Sequence, residues 1–129
     1  MSTLTLTIPG RPMGKPRMTR QDRWKHRPCV VQYREFCDRI RKAVGPLVID
    51  PEKVLRLDWT ATFAPPKSWK KADREDAIGT LHRQMPDRDN LDKAILDALF
   101  ERDQAIAAGT LLKVWGWDSS LTITMELED

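Results

Sequence analysis

A loop that leads into an amphipathic helix, residues 84–100, most constrains how this chain of 129 residues can fold. Pro86 disfavours helical backbone for the residue before it, so a helix is predicted only after the loop. From Leu91 onward, apolar residues recur at intervals of three and four, which is the spacing of one buried helical face. These positions are Leu91, Ala94, Ile95, Ala98 and Leu99.

Two aspartates, Asp87 and Asp89, lie where this loop meets the helix, and Lys93 follows one helical turn later. In a structural interpretation, Asp89 caps the helix, and Asp89, Lys93 and Asp97 form ion pairs four residues apart. In a chemical interpretation, the two carboxylates converge on a hard cation such as Mg²⁺. The lysine then contacts a phosphate or positions the attacking water. The spacing alone leaves both interpretations open.

The remaining pattern predicts one small domain, residues 1–129, of the α/β (α+β) class with a mixed sheet of about four strands and packed helices. In the clearest strand, Leu55, Leu57, Trp59, Ala61 and Phe63 are assigned to one face. A short polar helix is predicted to start after a capping Ser68, and the last two strands are predicted to form a hairpin. The predicted strands cover residues 4–8, 54–63, 111–115 and 121–127. Besides the helix that follows the loop, helices are predicted at residues 31–44 and 69–78.

Charge is unevenly distributed along the chain. Residues 11–42 contain eleven Lys and Arg against three Asp and Glu, whereas residues 87–129 contain four against ten. A basic region and an acidic region in one small domain suit a polyanionic partner and a site that needs a cation. An ordinary charged surface with local clustering is the alternative interpretation.

A basic loop rich in Gly and Pro, residues 10–28, follows the first strand and has no apolar periodicity that would let it pack. We predict that it contacts DNA phosphates and becomes ordered on binding. Trp24 either stacks on a base or anchors the loop in the core, and His82 is predicted to be a surface residue. The predicted DNA contacts are Lys15, Arg17, Arg20, Arg23, Lys25 and Arg27, with Lys70 and Lys71 adding positive charge nearby.

Several classes of protein are disfavoured by what the sequence lacks. No apolar run approaches the roughly 20 residues of a membrane span, and the first residues do not resemble a secretory signal. Two cysteines suit a reduced compartment, so a cytoplasmic protein is predicted. Neither the cysteine and histidine spacing of a zinc site nor a phosphate-binding glycine loop is present.

The run Pro86-Asp87-x-Asp89-Asn90-Leu91-x-Lys93-x-x-x-Asp97-Ala98-Leu99 resembles the signature of the RusA family of phage and bacterial Holliday-junction resolvases. That signature continues to a third aspartate just after the helix, where this chain has Asp103 followed by Gln104. The upstream segment 64–71 also resembles the "P-K-S-W" turn of the family. The similarity is strong over residues 64–106 and only architectural outside them.

The resemblance implies a RusA-like fold and an endodeoxyribonuclease that depends on Mg²⁺, with Mn²⁺ as an alternative ion. It implies a homodimer that resolves four-way DNA junctions by paired symmetric nicks during recombination and repair in a bacterial or phage-infected cell, and it suggests a prophage origin. A branched-DNA-binding protein without catalytic activity is the alternative. The resemblance implies that Asp87, Asp89 and Asp103 are catalytic metal ligands and that Lys93 is catalytic. It also implies that Asp97 and Asn90 contact and orient these residues without binding the metal themselves.

The position of Asp103 raises a geometric problem. A continuous helix from Asp89 to Asp103 would separate the two carboxylates by about 20 Å at 1.5 Å per residue. Either the helix is shorter and the chain folds back, or a second subunit completes the site.

Overall fold

The computed structural model describes residues 1–17, 19–23 and 26–129, with the backbone alone described at Arg23. Short 3-10 turns, at Arg20–Arg23, Pro51–Lys53 and Asp103–Ala105, join the main elements. The strands are β1 (Ser2–Pro9), β2 (Val54–Phe63), β3 (Leu111–Trp115) and β4 (Ser120–Leu127), and the helices are α1 (Pro28–Val44), α2 (Lys71–Ala77) and α3 (Arg88–Leu99). The predicted class, a small α+β domain with a four-stranded mixed sheet, is confirmed.

The sheet has the strand order β1-β4-β2-β3, in which β4 pairs antiparallel with β1 and β2, and β3 pairs parallel with β2. The predicted hairpin between β3 and β4 is therefore wrong. After Trp115 the chain crosses the end of β2, where the Gly116 N–H donates to the Phe63 carbonyl, and returns along the other edge of β2. A side chain at Gly116 would meet Thr62, since a Cβ there would lie 2.5 Å from the Thr62 methyl carbon.

Strand β2 occupies the centre of the core, as its apolar alternation predicts. Leu57, Trp59, Ala61 and Phe63 are buried, but Leu55 is exposed, which corrects its assignment to the same face. The register of β2 against β4 shifts between Val54 and Arg56, and this irregularity turns Leu55 out of the buried face.

Helices α1 and α3 pack against each other and against the sheet. Helix α1 buries the predicted face, with Tyr33, Phe36, Cys37 and Ile40 inside, and ends where Gly45 adopts a φ of +64°. Helix α3 buries Leu91, Ala94, Ile95 and Ala98, while Leu99 is half-buried. Periodicity therefore identified the buried faces of both helices.

Helix α2 is shorter than predicted and begins two residues later. Its first residue is Lys71, Lys70 occupies the capping position without a side-chain hydrogen bond, and Ser68 is not the cap. Trp69 lies in a turn whose N–H donates to the Pro66 carbonyl, and its ring packs on Trp115 at 5.1 Å between centroids. This tertiary contact keeps Trp69 outside the helix.

Helix α3 crosses over between the parallel strands β2 and β3 and runs opposite to them. Near its start, Asp92 accepts a hydrogen bond from Trp59 Nε1 at 2.9 Å. After its end, the 3-10 turn at Asp103–Ala105 contacts the turn at Pro51–Lys53 that precedes β2. The N-terminus of α3 thus lies with the carboxyl ends of β2 and β3, the edge where open α/β sheets bind ligands.

Candidate active site

Asp87 and Asp89 lie at the N-terminus of α3, and both side chains are exposed. The helix begins at Arg88, so Asp87 occupies the capping position and Asp89 falls in the first turn, which corrects the prediction that Asp89 is the cap. Asp87 makes no side-chain capping bond. Among the described residues, neither carboxylate is hydrogen-bonded or ion-paired through its side chain. Both remain available to a ligand.

Lys93 lies one turn into α3 and is exposed. The predicted pairs of Lys93 with Asp89 and Asp97 are not among the ion pairs of the described residues. Asp97 pairs instead with Lys15 from the basic loop, at 3.0 Å between Nζ and Oδ2. The ammonium group of Lys93 is therefore not held by the two carboxylates that were its expected partners.

The start of the basic loop packs against α3. Asn90 Nδ2 donates to the Lys15 carbonyl at 3.2 Å, in addition to the ion pair of Lys15 with Asp97. Gly14 lies so close to the helix that a Cβ on it would be 2.5 Å from Asn90 Nδ2. Asn90 and Asp97 therefore contact the loop and not the two carboxylates at the helix start.

Asp103 lies at the other end of α3 from Asp87 and Asp89. The helix ends at Leu99, and the chain reaches Asp103 in a 3-10 turn whose neighbour Arg102 is 3.4 Å from Glu52. The 12 residues of α3 span about 18 Å. Across residues 1–17, 19–23 and 26–129, no group of three His, Cys, Asp or Glu side chains is close enough to hold a metal ion. A single chain places Asp87 and Asp89 at the start of α3 and Asp103 beyond its end.

Lys113 on β3 contacts the loop that leads to Asp87, a contact that the sequence patterns did not reveal. Its amine donates to the Gln84 carbonyl at 2.6 Å, and its own carbonyl accepts the His82 N–H at 3.0 Å. Burial lowers the pKa of this amine, and the Asp87 carboxylate opposes that shift. Lys113 thus anchors the loop that presents Asp87. The available signal was a single lysine inside the otherwise apolar strand Leu111–Trp115.

His82 is buried, which corrects its assignment to the surface. Its ring stacks on Phe63 with centroids 4.1 Å apart and lies 4.3 Å from the ring of Trp115. Burial lowers the pKa of His82 to about 4, and the positive charges of Lys113 and Arg11 act in the same direction. His82 is therefore neutral at physiological pH and packs beneath the loop that carries Asp87.

The far end of the basic loop is held by a buried aspartate. Asp22 accepts hydrogen bonds from the Thr19 N–H and from Arg27, whose Nε is 2.8 Å away. Arg27 also donates to the Arg17 carbonyl at 2.8 Å. Hydrogen bonds from Arg27 and from the Thr19 backbone hold the pKa of Asp22 well below its usual range. Arg27, predicted to contact phosphate, is thus engaged inside the loop.

The other predicted DNA contacts differ in their placement. Arg17 and Arg20 are exposed on the loop between its two attachment points. Lys70 and Lys71 are exposed at the start of α2, where Lys71 is 3.9 Å from Glu75. Lys25, Trp24 and the side chain of Arg23 lie outside the described residues.

The donor chemistry of the site fits a hard divalent cation in part. Mg²⁺ prefers carboxylate and water oxygens in octahedral geometry, and Asp87 and Asp89 offer two such carboxylates, two positions apart, at an exposed helix start. The remaining positions would be filled by water, by a phosphate oxygen or by a carboxylate from elsewhere. Lys113 and the basic loop add positive charge around the pair.

Three further findings concern the chain as a whole. No helix within the described residues has the length and apolar character needed to cross a membrane. No curated protein matches the sequence significantly. The model of the family described as Endodeoxyribonuclease RusA, however, matches residues 9–126 of the chain. This match covers nearly every element of the fold, both carboxylates at the start of α3, Asp103 and Lys113, and the chain therefore belongs to the RusA family of Holliday-junction-resolving endodeoxyribonucleases.

Proposed function

We propose that this protein is a Mg²⁺-dependent endonuclease that cuts four-way DNA junctions by paired symmetric nicks, leaving 5′-phosphate and 3′-hydroxyl ends. The observation that carries this proposal is the pair Asp87 and Asp89, exposed at the start of α3 and free of side-chain partners among the described residues. Carboxylates that merely stabilised the fold would be engaged in capping or ion pairing. The carboxylate oxygens of these two residues are available to a ligand from outside the chain.

The proposed roles follow from the charge that each residue contributes. A divalent cation, when bound, neutralises charge on the phosphate and makes a bound water more acidic. Asp87 and Asp89 hold this ion through carboxylate oxygens. Lys93, exposed and one turn away, contacts the scissile phosphate and offsets the negative charge that develops in the transition state. Lys113 maintains the loop conformation that aims Asp87 at the same place.

The DNA-binding surface in this proposal is the outer side of the basic loop together with the start of α2. Arg17 and Arg20 are exposed between two points where the loop is attached to the fold, and Lys70 and Lys71 are exposed nearby in the chain. Each phosphate contact of this kind adds affinity that does not depend on base sequence and decreases with salt. Arg23 and Lys25 belong to the same proposed surface.

We propose a homodimer because one chain leaves Asp103 beyond the end of α3 opposite to the other two carboxylates, and this helix is about 18 Å long. In a dimer whose two-fold axis sets two α3 helices antiparallel, the end of one helix lies beside the start of the other. Asp103 of one subunit would then complete the site formed by Asp87 and Asp89 of the other. Two such sites, related by the same axis, suit paired nicks in a symmetric junction. The proposed setting is the cytoplasm of a bacterial or phage-infected cell.

The test is cleavage of a labelled synthetic four-way junction by the wild type and by Asp89→Asn. We expect the wild type to make paired nicks with Mg²⁺ and to lose them with a chelator. Asp89→Asn should cleave at least a hundredfold more slowly, because a neutral amide replaces a charged ligand, while its affinity for the junction is retained. Mn²⁺ in place of Mg²⁺ checks the choice of ion.

An exposed aspartate away from the site supplies the matched control. Asp38→Asn on α1 removes the same charge from a residue that is 74% exposed, and it should cleave like the wild type. Tight junction binding by the wild type without cleavage in either ion would overturn the proposal and leave a protein that only binds branched DNA.

A further inference from the structure

The basic loop is attached to α3 through three independent contacts at its first residues. The Lys15 amine lies 3.0 Å from Asp97 Oδ2, and the Lys15 carbonyl accepts from Asn90 Nδ2 at 3.2 Å. Gly14 lies against the Asn90 side chain and Pro86, where any Cβ would overlap the Asn90 amide at 2.5 Å. One residue of the loop is therefore gripped both by its backbone and by its side chain.

The ion pair is shielded enough to hold its geometry. Lys15 and Asp97 have side chains that are 33% and 32% exposed, whereas the pair of Lys71 and Glu75 is 83% and 52% exposed. Partial burial reduces screening by salt, and the hydrogen bond from Asn90 fixes the backbone of the same lysine. Contacts of this kind restrain a loop more than an isolated surface pair does.

Asn90 and Asp97 occupy one side of α3, because positions seven residues apart lie two turns apart on the same face. Asn90 directly follows Asp89, so the turn of helix that presents one carboxylate also grips the loop. The loop is braced again at its far end, where Arg27 joins Asp22 and the Arg17 carbonyl. Arg17 and Arg20 are exposed between these two braces.

We infer that Lys15, Asn90 and Asp97 form a clasp that positions the basic loop relative to the two carboxylates of α3. This inference rests on the proposed function and assigns Lys15 as a positioning residue in place of the phosphate contact that the sequence predicted. It also assigns Asp97 and Asn90 to the loop, and not to support of the metal ligands. The clasp fixes the position of the loop before DNA binds. DNA that contacts Arg17 and Arg20 is therefore held at a defined position relative to Asp87 and Asp89.

The clasp predicts a change in DNA affinity that is opposite in sign to the simple effect of charge. Replacing Asp97 by Asn removes a negative charge, which on electrostatic grounds alone would tighten binding to DNA. If Asp97 holds the loop, Asp97→Asn should instead weaken junction binding by about fivefold. This effect is modest because the ion pair that is lost is partly exposed to solvent. Lys15→Met should weaken it to a similar extent and without lowering the salt dependence of binding.

A charge exchange tests whether the two side chains act as a pair. The double variant Lys15→Asp with Asp97→Lys preserves the ion pair in reverse and should recover at least half of the affinity that either single variant loses. Asp38→Asn serves as the control, since it removes one acidic charge from α1 without touching the loop. It should bind the junction as tightly as the wild type or slightly more tightly.

A second measurement detects the clasp without DNA. Trypsin cuts after Arg17 and Arg20 only if the loop opens, so Asp97→Asn should be cut there several times faster than the wild type and than Asp38→Asn. Because this readout needs neither binding nor catalysis, it separates failure of the clasp from failure of the proposed function.

The inference is overturned by either of two results. In the first, Asp97→Asn binds the junction as tightly as the wild type or more tightly, and Lys15→Met reduces the slope of log affinity against log salt concentration by about one. That combination would make Lys15 a direct phosphate contact. The other is an unchanged rate of trypsin cleavage in Asp97→Asn, which would show that the pair does not hold the loop.

Discussion

At the scale of single residues, the side chains nearest to the two carboxylates divide into those that face a ligand and those that hold the backbone. Asp87, Asp89 and Lys93 are exposed and have no side-chain partners among the described residues. Lys113 and His82 lie behind them, one hydrogen-bonded to the loop and the other packed between aromatic rings. The exposed set matches the family signature, whereas the supporting set comes from other parts of the chain.

Lys113→Met should lower the rate of junction cleavage by about tenfold, within the range found when residues that orient metal ligands are removed. The variant loses the hydrogen bond to the Gln84 carbonyl and the positive charge beside Asp87. Single-turnover cleavage and junction affinity should be measured together, since we expect the affinity to remain within about twofold.

Two companion variants sharpen this prediction. Lys113→Arg retains both charge and donors and should cleave faster than Lys113→Met. Lys42→Met, an exposed lysine at the end of α1, should cleave like the wild type. If Lys113→Met also cleaves at the wild-type rate, Lys113 does not position Asp87.

At the scale of elements, the crossover from α3 into β3 depends on close contact between its backbone and β2. The Leu57 N–H donates to the Ala108 carbonyl and the Trp59 N–H donates to the Thr110 carbonyl, each at 3.0 Å. Gly109 lies between these bonds, where a Cβ would fall 1.8 Å from the Leu57 carbonyl oxygen. The small residues in this segment allow two backbones to lie side by side.

Gly109→Ala should lower the free energy of unfolding by about 3 kcal/mol, near the upper end for overpacking, because the backbone cannot shift without breaking the two flanking bonds. Denaturation by urea would measure the loss. Ala107→Ser, an exposed change in the same segment, should alter stability by less than about 0.5 kcal/mol. A Gly109→Ala protein as stable as the wild type would contradict the close approach of this segment to β2.

At the scale of the whole molecule, the separation of Asp103 from the other carboxylates makes a prediction about subunits. Asp89→Asn and Asp103→Asn homodimers should each be inactive. If the site is shared between subunits, a mixed dimer of the two contains one site with both changes and one site with neither. Mixing the two inactive proteins under conditions of subunit exchange should therefore restore nicking of one junction strand.

The pattern of recovery distinguishes the possible arrangements. A site formed within one chain would give no activity in the mixture, because every site would carry one change. Full activity of the Asp103→Asn homodimer by itself would remove Asp103 from the site altogether. Sedimentation of the mixed proteins should be checked in parallel to verify that dimers form.

Much of the fold could be predicted from local sequence. The bounds of β2 and β3, the buried faces of α1 and α3, and the loop-to-helix position of Asp87 and Asp89 all follow from periodicity and turn residues. These features depend on residues close together in the chain, for which hydrophobic spacing is a direct physical signal. The family signature added the chemistry, because its residues also lie within one short segment.

Only the tertiary structure decided which distant segments meet. It put β2 between β3 and β4, in place of the hairpin, since pairing with both neighbours buries the most apolar strand at the centre of the sheet. In the folded chain Asp97 forms an ion pair with Lys15, and Lys113 is hydrogen-bonded to the loop before Asp87. Asp103 lies beyond the far end of α3. Local patterns set elements and faces, whereas ion pairs and strand neighbours depend on packing between residues that are far apart in the chain.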